Sequence, residues 1–434
     1  MNIVLVCHYY PPANNTGAKR FTALSKNLVK LGHAVTVITT TKRPSDGQFS
    51  EVSPEGVSVI EVNRLGRPQR SRCVEYDGTA GRYEALHDPN PSFGRLIKNW
   101  AFRVFGQLPD PRLPFALSFL SPFCSKMVIS SIRNADVVVA TSPPWTMLLA
   151  AIFIKTRFRK KVVLDYRDHF SECHGMPGTV FAKSIERILD RKLCGSADGV
   201  VTVSGPMTDY YQKYNSTVRT IYNGYDNGEM AIALRAPRRV LDGRVIVVRY
   251  LGTVSPGRIP RNFISAIREM NGCGRLSAKE LRVEFYGNCQ LLSKYIAENF
   301  PDISVYFHFF DGVPYADSLR LMTESDYLLF SETSDQSTAS AKGILTTKLF
   351  EYFGAKRPII ADISRETLAG QLIGEVSGRH LVANDKESFC VFLRGIRENI
   401  NSGPVEAEVS LPLSREEQAA EYLEFLRYVI GSVH

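Results

Sequence analysis

Two charged side chains stand three residues apart in the stretch from Ser337 to Asp362. Lys348 falls in the first turn of a short helix predicted over residues 347–353, where the helix dipole disfavours a cation unless an anion binds at the helix N-terminus. Glu351 lies one turn later on the same side. A cation for phosphate and a carboxylate for sugar hydroxyls together suit a nucleotide sugar. A surface Lys–Glu pair on an ordinary helix is the alternative that these residues alone leave open.

The neighbouring residues predict how this pair is positioned. Thr346 or Thr347 is expected to cap the helix, because a threonine oxygen accepts one of the unpaired N–H groups at a helix start. Gly354 suits a left-handed residue that ends a helix, and an apolar strand follows over residues 358–361. The buried side of the helix is predicted to consist of Leu349, Phe350 and Phe353.

Length and charge narrow the class of protein. The chain has 434 residues, which indicates two or three domains. A net charge of +9 favours an anionic partner, which could be a phosphate-bearing substrate, anionic lipid or nucleic acid. Nucleic acid ranks last because the basic residues are dispersed and lack an interleaved aromatic platform.

The eight cysteines are scattered, and none forms a C-x-x-C pair or a Cys/His run with zinc spacing. We therefore expect no metal site and a reduced, cytoplasmic compartment. The first residues lack a basic leader and a cleavage site, so no signal peptide is expected. The longest uncharged apolar run, residues 145–154, is too short to span a bilayer.

The N-terminal half begins with a strand–loop–helix–strand unit. Residues 3–7 and 34–39 are predicted strands, and the loop and helix between them carry His8 and Gly17. Ligands bind at the carboxyl ends of parallel strands in such folds, and Gly17 would allow close backbone approach. The loop lacks the G-x-G-x-x-G fingerprint, which argues against a nicotinamide cofactor, and a simple turn glycine is the alternative.

Three charged residues follow the predicted strand at residues 162–165. Asp165, Arg167 and Asp168 thus sit at a strand's carboxyl end, where chemistry is usual in an open α/β sheet. The structural alternative is an arginine held between two carboxylates as an internal tie.

A second α/β unit begins after residue 226. Residues 227–243 are irregular and charged and are predicted to be a linker. A strand over residues 245–251 then leads into a glycine loop containing Gly252, Thr253 and Arg258. We expect an α/β protein with two parallel-sheet domains facing a cleft, residues 1–226 and 227–412, and a last helix within residues 413–434.

Two segments could contact a membrane surface. Residues 95–105 predict an amphipathic helix with basic residues beside Trp100 and Phe105, which is typical of an interfacial helix but also of a core-facing one. The apolar residues 147–154 lead into the basic run 155–161, which would attract anionic lipid if the apolar surface were exposed.

The ordered motifs of the chain resemble those of GT-B glycosyltransferases of family 4. They are HYYPPANNTGAKRFTALSKNLVKLGHAVTVIT, TSPPW, VVLDYRDHF, ADGVVTVS, IYNGYDN, VRYLGTVSPGR, VEFYGN and TTKLFEYFGAKRPII. The resemblance implies two Rossmann-like domains, a nucleotide sugar bound mainly by the second, and a C-terminal helix that crosses back to the first. It also implies metal-independent transfer, usually with retention of configuration.

The resemblance assigns roles to the second domain. Glu351 would bind the ribose hydroxyls, and Lys348 and Arg258 the diphosphate. Gly252 and Thr253, with the Thr346 and Thr347 N–H groups, would line the donor site, and Gly17 would approach it from the first domain. The family's E-x7-E motif would place its first Glu at position 343, where this chain has Gly343, so the donor sugar is not identified.

The chemistry then follows from charge. Leaving-group departure builds charge on a nucleoside diphosphate, which Lys348 and Arg258 would stabilise. The resemblance places Asp168, with Asp165 and Arg167, on the acceptor side. His8, at the end of a predicted strand, is a further acceptor-side candidate, and a structural histidine is the alternative. We expect Asp168 to position the acceptor, with a role as base as the second choice.

The leading hypothesis is a glycosyltransferase acting on a glycan, expected to be lipid-linked, in the synthesis of cell-surface polysaccharide or lipopolysaccharide. It would need no cofactor beyond its nucleotide-sugar substrate, UDP- or GDP-linked, and would work in the cytoplasm or peripherally on the inner face of the membrane. The alternatives are a nucleotide-sugar epimerase of the same fold and a non-catalytic nucleotide-sugar-binding protein.

Overall fold

The computed structural model describes residues 1–14, 16–42, 48–49, 52–63, 67–69, 93–108, 110–122, 124–173, 176–236, 245–333, 339–376, 378, 380–395 and 411–431. The chain divides into two compact units. The first comprises Met1–Tyr222, Thr338–Ser340 and Glu416–His434, and the second comprises Asn223–Ser337 and Ala341–Arg415.

Parallel strands make the framework of both units. The strands are β1 (Asn2–Cys7), β2 (Ala13–Asn14), β3 (Ala34–Thr40), β4 (Gln48–Phe49), β5 (Val57–Val62), β6 (Val137–Ser142), β7 (Lys161–Tyr166), β8 (Gly199–Thr202), β9 (Val218–Thr220), β10 (Ile246–Leu251), β11 (Leu281–Tyr286), β12 (Phe307–Phe310), β13 (Tyr327–Ser331), β14 (Ile359–Asp362) and β15 (Leu381–Ala383).

Helices connect most of these strands. The helices are α1 (Thr16–Lys30), α2 (Phe93–Phe105), α3 (Leu113–Ser118), α4 (Lys126–Asn134), α5 (Thr146–Phe158), α6 (Val180–Ser196), α7 (Gly205–Tyr211), α8 (Asn227–Arg235), α9 (Arg261–Gly272), α10 (Gln290–Asn299), α11 (Tyr315–Glu324), α12 (Ala339–Lys342), α13 (Thr347–Gly354), α14 (Leu368–Glu375), α15 (Lys386–Arg394) and α16 (Arg415–Ile430).

The first domain is a parallel sheet of seven strands in the order β5-β3-β1-β6-β7-β8-β9. The central strands β1 and β6 are buried almost throughout, as expected when both faces of a parallel sheet are covered. The order of the strands reverses between β1 and β6. Their carboxyl ends therefore diverge into the two loops that carry His8 and the Ser142-Pro143 sequence.

The last helix completes the core of the first domain. Residues of α16, among them Tyr422 and Phe425, pack with Ile3 and Leu5 of β1 and with Leu24 of α1. The expected return of the C-terminal helix to the first domain is confirmed.

The second domain is a parallel sheet of six strands in the order β12-β11-β10-β13-β14-β15. Here the order reverses between β10 and β13. A 3-10 helix occupies Pro301–Tyr306, and the edge strand β12 follows it over Phe307–Phe310.

The segment predicted as an irregular linker begins with helix α8. Asp226 caps this helix, because its side-chain oxygen accepts a hydrogen bond from the Glu229 N–H at 3.0 Å. Met230 and Ala233 are buried, and the Thr323 hydroxyl of α11 donates to the Ala233 carbonyl. A short apolar face and one cap therefore suffice to fold this stretch. The remainder of the predicted linker, residues 237–243, lies outside the described residues.

The basic run at residues 155–161 does not border an exposed apolar surface. The preceding segment, residues 147–154, belongs to α5, and each of its side chains is buried or is half-buried against the core, so that part of the prediction is wrong. Lys155 donates to the Ser196 carbonyl at the end of α6, and Lys160 donates to the Arg133 and Ala135 carbonyls at the end of α4. Arg157 donates to the Phe119 carbonyl after α3. These cations satisfy helix C-terminal carbonyls, where the dipole favours them.

Helix α2, unlike α5, exposes large apolar side chains. Ile97, Trp100 and Phe105 keep 53%, 59% and 45% of their surface exposed, which does not fit a core-facing helix. In the part of the chain that the structure describes, no helix has the length and apolar composition needed to cross a bilayer.

Candidate functional site

The reversal of strand order in the second domain defines its crevice. Loops leave β10 and β13 in opposite directions at their carboxyl ends, the usual place for ligands in an open α/β sheet. Gly252 and Arg258 lie in the loop after β10, and Glu332 directly follows β13. Helix α13, which carries Lys348 and Glu351, begins nearby. The sheet thus brings four predicted donor-site residues and one unpredicted acid to one edge.

Two glycines let the loops at this edge pack backbone to backbone. Gly252 has a φ of 128° and Gly287 a φ of 120°, both in the region that favours glycine. A Cβ at Gly287 would lie 2.8 Å from the Gly252 carbonyl oxygen. Beside them, the Tyr250 hydroxyl donates to the Thr253 carbonyl at 3.0 Å. These contacts hold the loop after β10 close to its own strand.

The Lys348 ammonium rests on an aromatic face. Its Nζ lies 3.6 Å from the centre of the Tyr250 ring and 5.6 Å from that of Phe330. Among the residues that the structure describes, no carboxylate pairs with it. Burial, followed by the positive charge of Arg258, lowers the pKa of Lys348 to about 7, while Glu332 opposes this change. A cation so placed would gain strongly from an anion.

Thr346 occupies the N-cap position of α13 but does not cap it with its side chain, so the predicted threonine cap is wrong. Its Oγ1 is buried and has no hydrogen-bond partner among the residues that the structure describes. Leu349, Phe350 and Phe353 are buried as predicted.

The end of α13 also differs from the prediction. Gly354 is helical, and the left-handed residue is Lys356, with a φ of 53°. A Cβ at Gly354 would lie 2.6 Å from the ring of Tyr225, so the missing side chain serves close packing.

Arg258 is already paired with an acid. Its Nε donates to Glu332 Oε1 at 2.7 Å, and the Glu332 side chain is 7% exposed. Arg258, the predicted diphosphate contact, therefore already forms an ion pair with Glu332 in this structure. Glu351 is also buried, at 9% exposure, and its Oε1 lies 3.9 Å from Arg415 Nη2.

Asp165 in the first domain is a fully buried tie. Its carboxylate accepts hydrogen bonds from Arg20 at 3.0 Å, from the Thr141 hydroxyl at 3.1 Å and from the Tyr422 hydroxyl at 3.2 Å. These donors come from α1, β6 and α16. The arrangement leaves Asp165 fully engaged in joining three elements to β7.

Arg167 is not held between two carboxylates, so that alternative is wrong in its detail. The guanidinium instead donates to the carbonyls of Gly17, Ser142 and Pro143. It thereby joins the start of α1 to the loop after β6, which are the two sides of the crevice in the first domain. Gly17 presents its carbonyl to this arginine.

Asp168 is the acid of this region that remains available. Its side chain is exposed, and within the described part of the chain it forms no ion pair and accepts no hydrogen bond. Desolvation by neighbouring protein atoms raises the pKa of Asp168 above its ordinary value, and the Arg167 charge opposes the rise.

The two histidines near this edge are buried. Arg112 Nη2 lies 2.8 Å from His8 Nε2, so that nitrogen must accept and the ring is neutral, with Nδ1 facing the Thr40 hydroxyl. His169 packs against Tyr210 and Tyr211, and burial lowers its pKa to about 4. Neither ring is positioned as a ready proton donor at neutral pH.

No cluster of three or more metal-ligating side chains occurs within the residues that the structure covers. The charged groups at both crevices are cations and single acids, a set that suits anions and hydroxyls better than a divalent cation.

Comparisons with known proteins show what this chain is similar to. Residues 15–224 match the model of the glycosyl transferase 4-like domain. The chain has the GT-B glycosyltransferase fold and resembles family 4. No curated protein matches the sequence.

Solved structures with the GT-B fold align over nearly the whole chain. A glycosyltransferase from Rickettsia africae is 13% identical, with a TM-score of 0.58 and 99% of both chains covered. The catalytic domain of starch synthase IV from Arabidopsis thaliana, bound to ADP and acarbose, is 12% identical, with a TM-score of 0.54 and the same coverage. UDP-GlcNAc 2-epimerase from Methanocaldococcus jannaschii is 13% identical, with a TM-score of 0.51, and the alignment covers 99% of this chain and 100% of that one. Identities this low show the shared fold alone.

Some residues of this GT-B chain that matter to the site were not predicted. Glu332 is the first acid after the apolar strand β13, the same placement that singled out Asp165 after its strand. That pattern could have identified it. Tyr250, which supports Lys348, reads as an ordinary strand residue, and Tyr422, which binds Asp165, lies on a helix 257 positions away. No local signal marks either one.

Proposed function

We propose that this chain is a glycosyltransferase that moves a sugar from a nucleotide-sugar donor to a glycan acceptor. The observation that carries the proposal is the half-buried Lys348 side chain at the start of α13, which lies over the Tyr250 ring and forms no ion pair with any described carboxylate. An anion next to it would restore a favourable charged state. The binding of ADP by starch synthase IV, a protein of the same fold, is consistent with a nucleoside diphosphate in this position.

In the proposed reaction, Lys348 and Arg258 stabilise the charge that builds on the departing diphosphate. Both are fixed before the reaction, so they need little reorganisation in the transition state. Glu351 binds the ribose hydroxyls, and the backbone at Gly252, with Thr253, lines the donor site. Transfer with retention and without a metal or other cofactor completes the proposal, with UDP- and GDP-linked donors both allowed.

Asp168 is proposed to position the acceptor hydroxyl, because its side chain is exposed after β7 and forms no ion pair or hydrogen bond with another described residue. His8, Asp165 and Arg167 would act indirectly, by shaping the edge that carries Asp168. The proposed acceptor is a lipid-linked glycan used in the synthesis of cell-surface polysaccharide or lipopolysaccharide.

The donor site is tested by a thermal-shift screen followed by calorimetry. The screen uses UDP-glucose, UDP-N-acetylglucosamine, GDP-mannose and ADP-glucose with their nucleoside diphosphates, since a ligand that binds only the folded state raises its stability. Lys348→Ala and Glu351→Ala should each weaken binding by about 1–3 kcal/mol, the scale of charge-assisted hydrogen bonds. Lys294→Ala, which removes an exposed lysine of α10, is the control and should leave binding unchanged. Unchanged affinity in both site variants would remove the site assignment.

An epimerase is the second candidate, favoured by the likeness to UDP-GlcNAc 2-epimerase. It would act without an acceptor. NMR of the protein with each nucleotide sugar alone would reveal an isomerised sugar if the epimerase were correct. Tight donor binding without turnover on any donor–acceptor pair would instead favour a non-catalytic binding protein.

We further propose that the first domain docks on the cytoplasmic face of a membrane through α2 and the start of α6. Trp100, Phe105, Val180 and Phe181 are exposed, and the Thr179 hydroxyl joins the two helices by donating to the α2 carbonyl of Val104. Apolar rings beside basic residues suit an anionic lipid surface.

Sedimentation with phosphatidylserine-containing vesicles at low salt tests this docking surface. Trp100→Ser and Phe181→Ser should each reduce the bound fraction, whereas Ile232→Ser, at a residue 73% exposed on α8, should not. Failure of the wild-type protein to sediment would contradict the lipid-facing assignment.

A further inference from the structure

We infer that Glu332 binds the transferred sugar of the donor, with its Oε2 accepting a hydrogen bond from a sugar hydroxyl. The inference rests on the proposed function and adds a residue that the sequence motifs did not indicate.

The first observation is an incomplete set of hydrogen bonds. Glu332 Oε1 accepts from Arg258 Nε at 2.7 Å and from the Thr333 N–H at 3.3 Å. Glu332 Oε2 is shielded from solvent and has no hydrogen-bond partner in the described chain. A buried carboxylate oxygen without a donor is costly. The protein therefore holds an acceptor that a ligand with a suitable donor group would complete.

The second observation is where this acceptor lies. Glu332 follows β13 directly, and Gly252 follows β10, so the two flank the point where the strand order reverses. The same carboxylate holds Arg258 and acts electrostatically on Lys348. Glu332 therefore borders the two cations that the proposed function assigns to the diphosphate.

The chemistry of the ligand follows from these neighbours. A phosphate oxygen offers no hydrogen-bond donor, and its charge repels a carboxylate. A hydroxyl next to the diphosphate donates readily to Oε2. In a nucleotide sugar, hydroxyls flank the diphosphate on the ribose and on the transferred sugar. The proposed function assigns the ribose to Glu351, which leaves the transferred sugar for Glu332.

The experiment compares a nucleotide sugar with its own nucleoside diphosphate. Calorimetry measures both dissociation constants for wild type and for Glu332→Met, which keeps the length of the side chain and removes the acceptor. The probe is whichever of UDP-glucose, UDP-N-acetylglucosamine, GDP-mannose and ADP-glucose binds best, with the matching diphosphate. We expect the preference for the nucleotide sugar over the diphosphate to fall about tenfold or more in the variant, the effect of one charge-assisted hydrogen bond.

The other outcomes are informative in different ways. Equal changes for both ligands would overturn the inference, because they would mean that Glu332 only neutralises Arg258 or contacts the ribose. Wild type that binds neither ligand would overturn the proposed function and the inference with it. Glu324→Ala, which removes another buried acid of the same domain, should change neither affinity.

Deoxy analogues of the sugar give a second test. The analogue that lacks the contacted hydroxyl should bind wild type about tenfold more weakly than the parent sugar, but the two should bind the Glu332→Met variant equally. If the variant does not fold, Glu332→Leu, which also lacks a hydrogen-bond acceptor, supports the same cycle. Wild-type affinity that is unchanged by every single hydroxyl removal would overturn the inference.

Discussion

Lys348 predicts proton uptake when a nucleotide sugar binds. In the free protein, burial and the charge of Arg258 lower its pKa to about 7, against the opposing effects of Glu332, Cys289 and Glu351. A bound diphosphate favours the charged lysine and moves the pKa back toward its ordinary value. At pH 8 the free side chain is about one-tenth protonated and the bound one is nearly fully protonated. Binding should then take up about 0.9 proton at pH 8 and about 0.1 at pH 6.

Calorimetry in two buffers with different ionisation enthalpies measures this uptake. A nucleotide sugar is the right ligand because its diphosphate is a diester and lacks the ionisation near pH 6 that a terminal phosphate has. Affinity should fall about tenfold for each pH unit above 7, because the lysine must first be protonated. Lys348→Arg remains charged at all these pH values and should show neither effect. Lys294→Ala should retain both.

Uptake below about 0.2 proton at pH 8 would refute the reasoning, since the free lysine would then already be charged. Equal uptake in Lys348→Arg would also refute it, because another group would be the source.

Four further substitutions test the packing and the site. Gly354→Ala should destabilise the protein by about 1–3 kcal/mol in urea unfolding, because its Cβ would meet the Tyr225 ring. Gly374→Ala, in a helix with open space around it, should instead stabilise by about 0.5–1 kcal/mol, and a similar sign for both would contradict the packing argument. Asp165→Asn should cost about 3–5 kcal/mol of stability, since it removes the buried negative charge that faces the Arg20 guanidinium, and a loss below 1 kcal/mol would show that the tie is weak. Asp168→Asn should slow transfer about 100-fold and leave donor affinity unchanged. An equal loss of donor affinity would mean that Asp168 contacts the donor and not the acceptor.

Local patterns predicted much of the framework. Apolar runs predicted β1, β3, β7 and β10 to within a residue or two, because buried parallel strands have few other compositions. The helix that carries Lys348 was predicted by its buried face. The role of Gly354 was predicted wrongly, because this glycine makes room for the ring of Tyr225, which is distant in sequence.

The failures share a physical cause, which is that partners distant in sequence decide a residue's role. Charge in residues 155–161 resembles a lipid-binding cluster, but the ends of three other helices take up these cations. The Asp165 position at a strand end suggested chemistry, and donors from Arg20, Thr141 and Tyr422 give it a structural role. The predicted linker contains helix α8, which was missed because the segment is charged and the helix buries only Met230 and Ala233.

The packing of α16 on the first domain has a consequence for biosynthesis. Tyr422 supplies one of the hydrogen bonds to the buried Asp165, and α16 covers apolar side chains of β1 and α1. The ribosome makes the whole second domain before it reaches this helix, which takes roughly 10–40 s at ordinary elongation rates. During that time the N-terminal half exposes an unfinished core. Its folding therefore ends only after translation does, and chains cut short before α16 should be targets for chaperones and proteases.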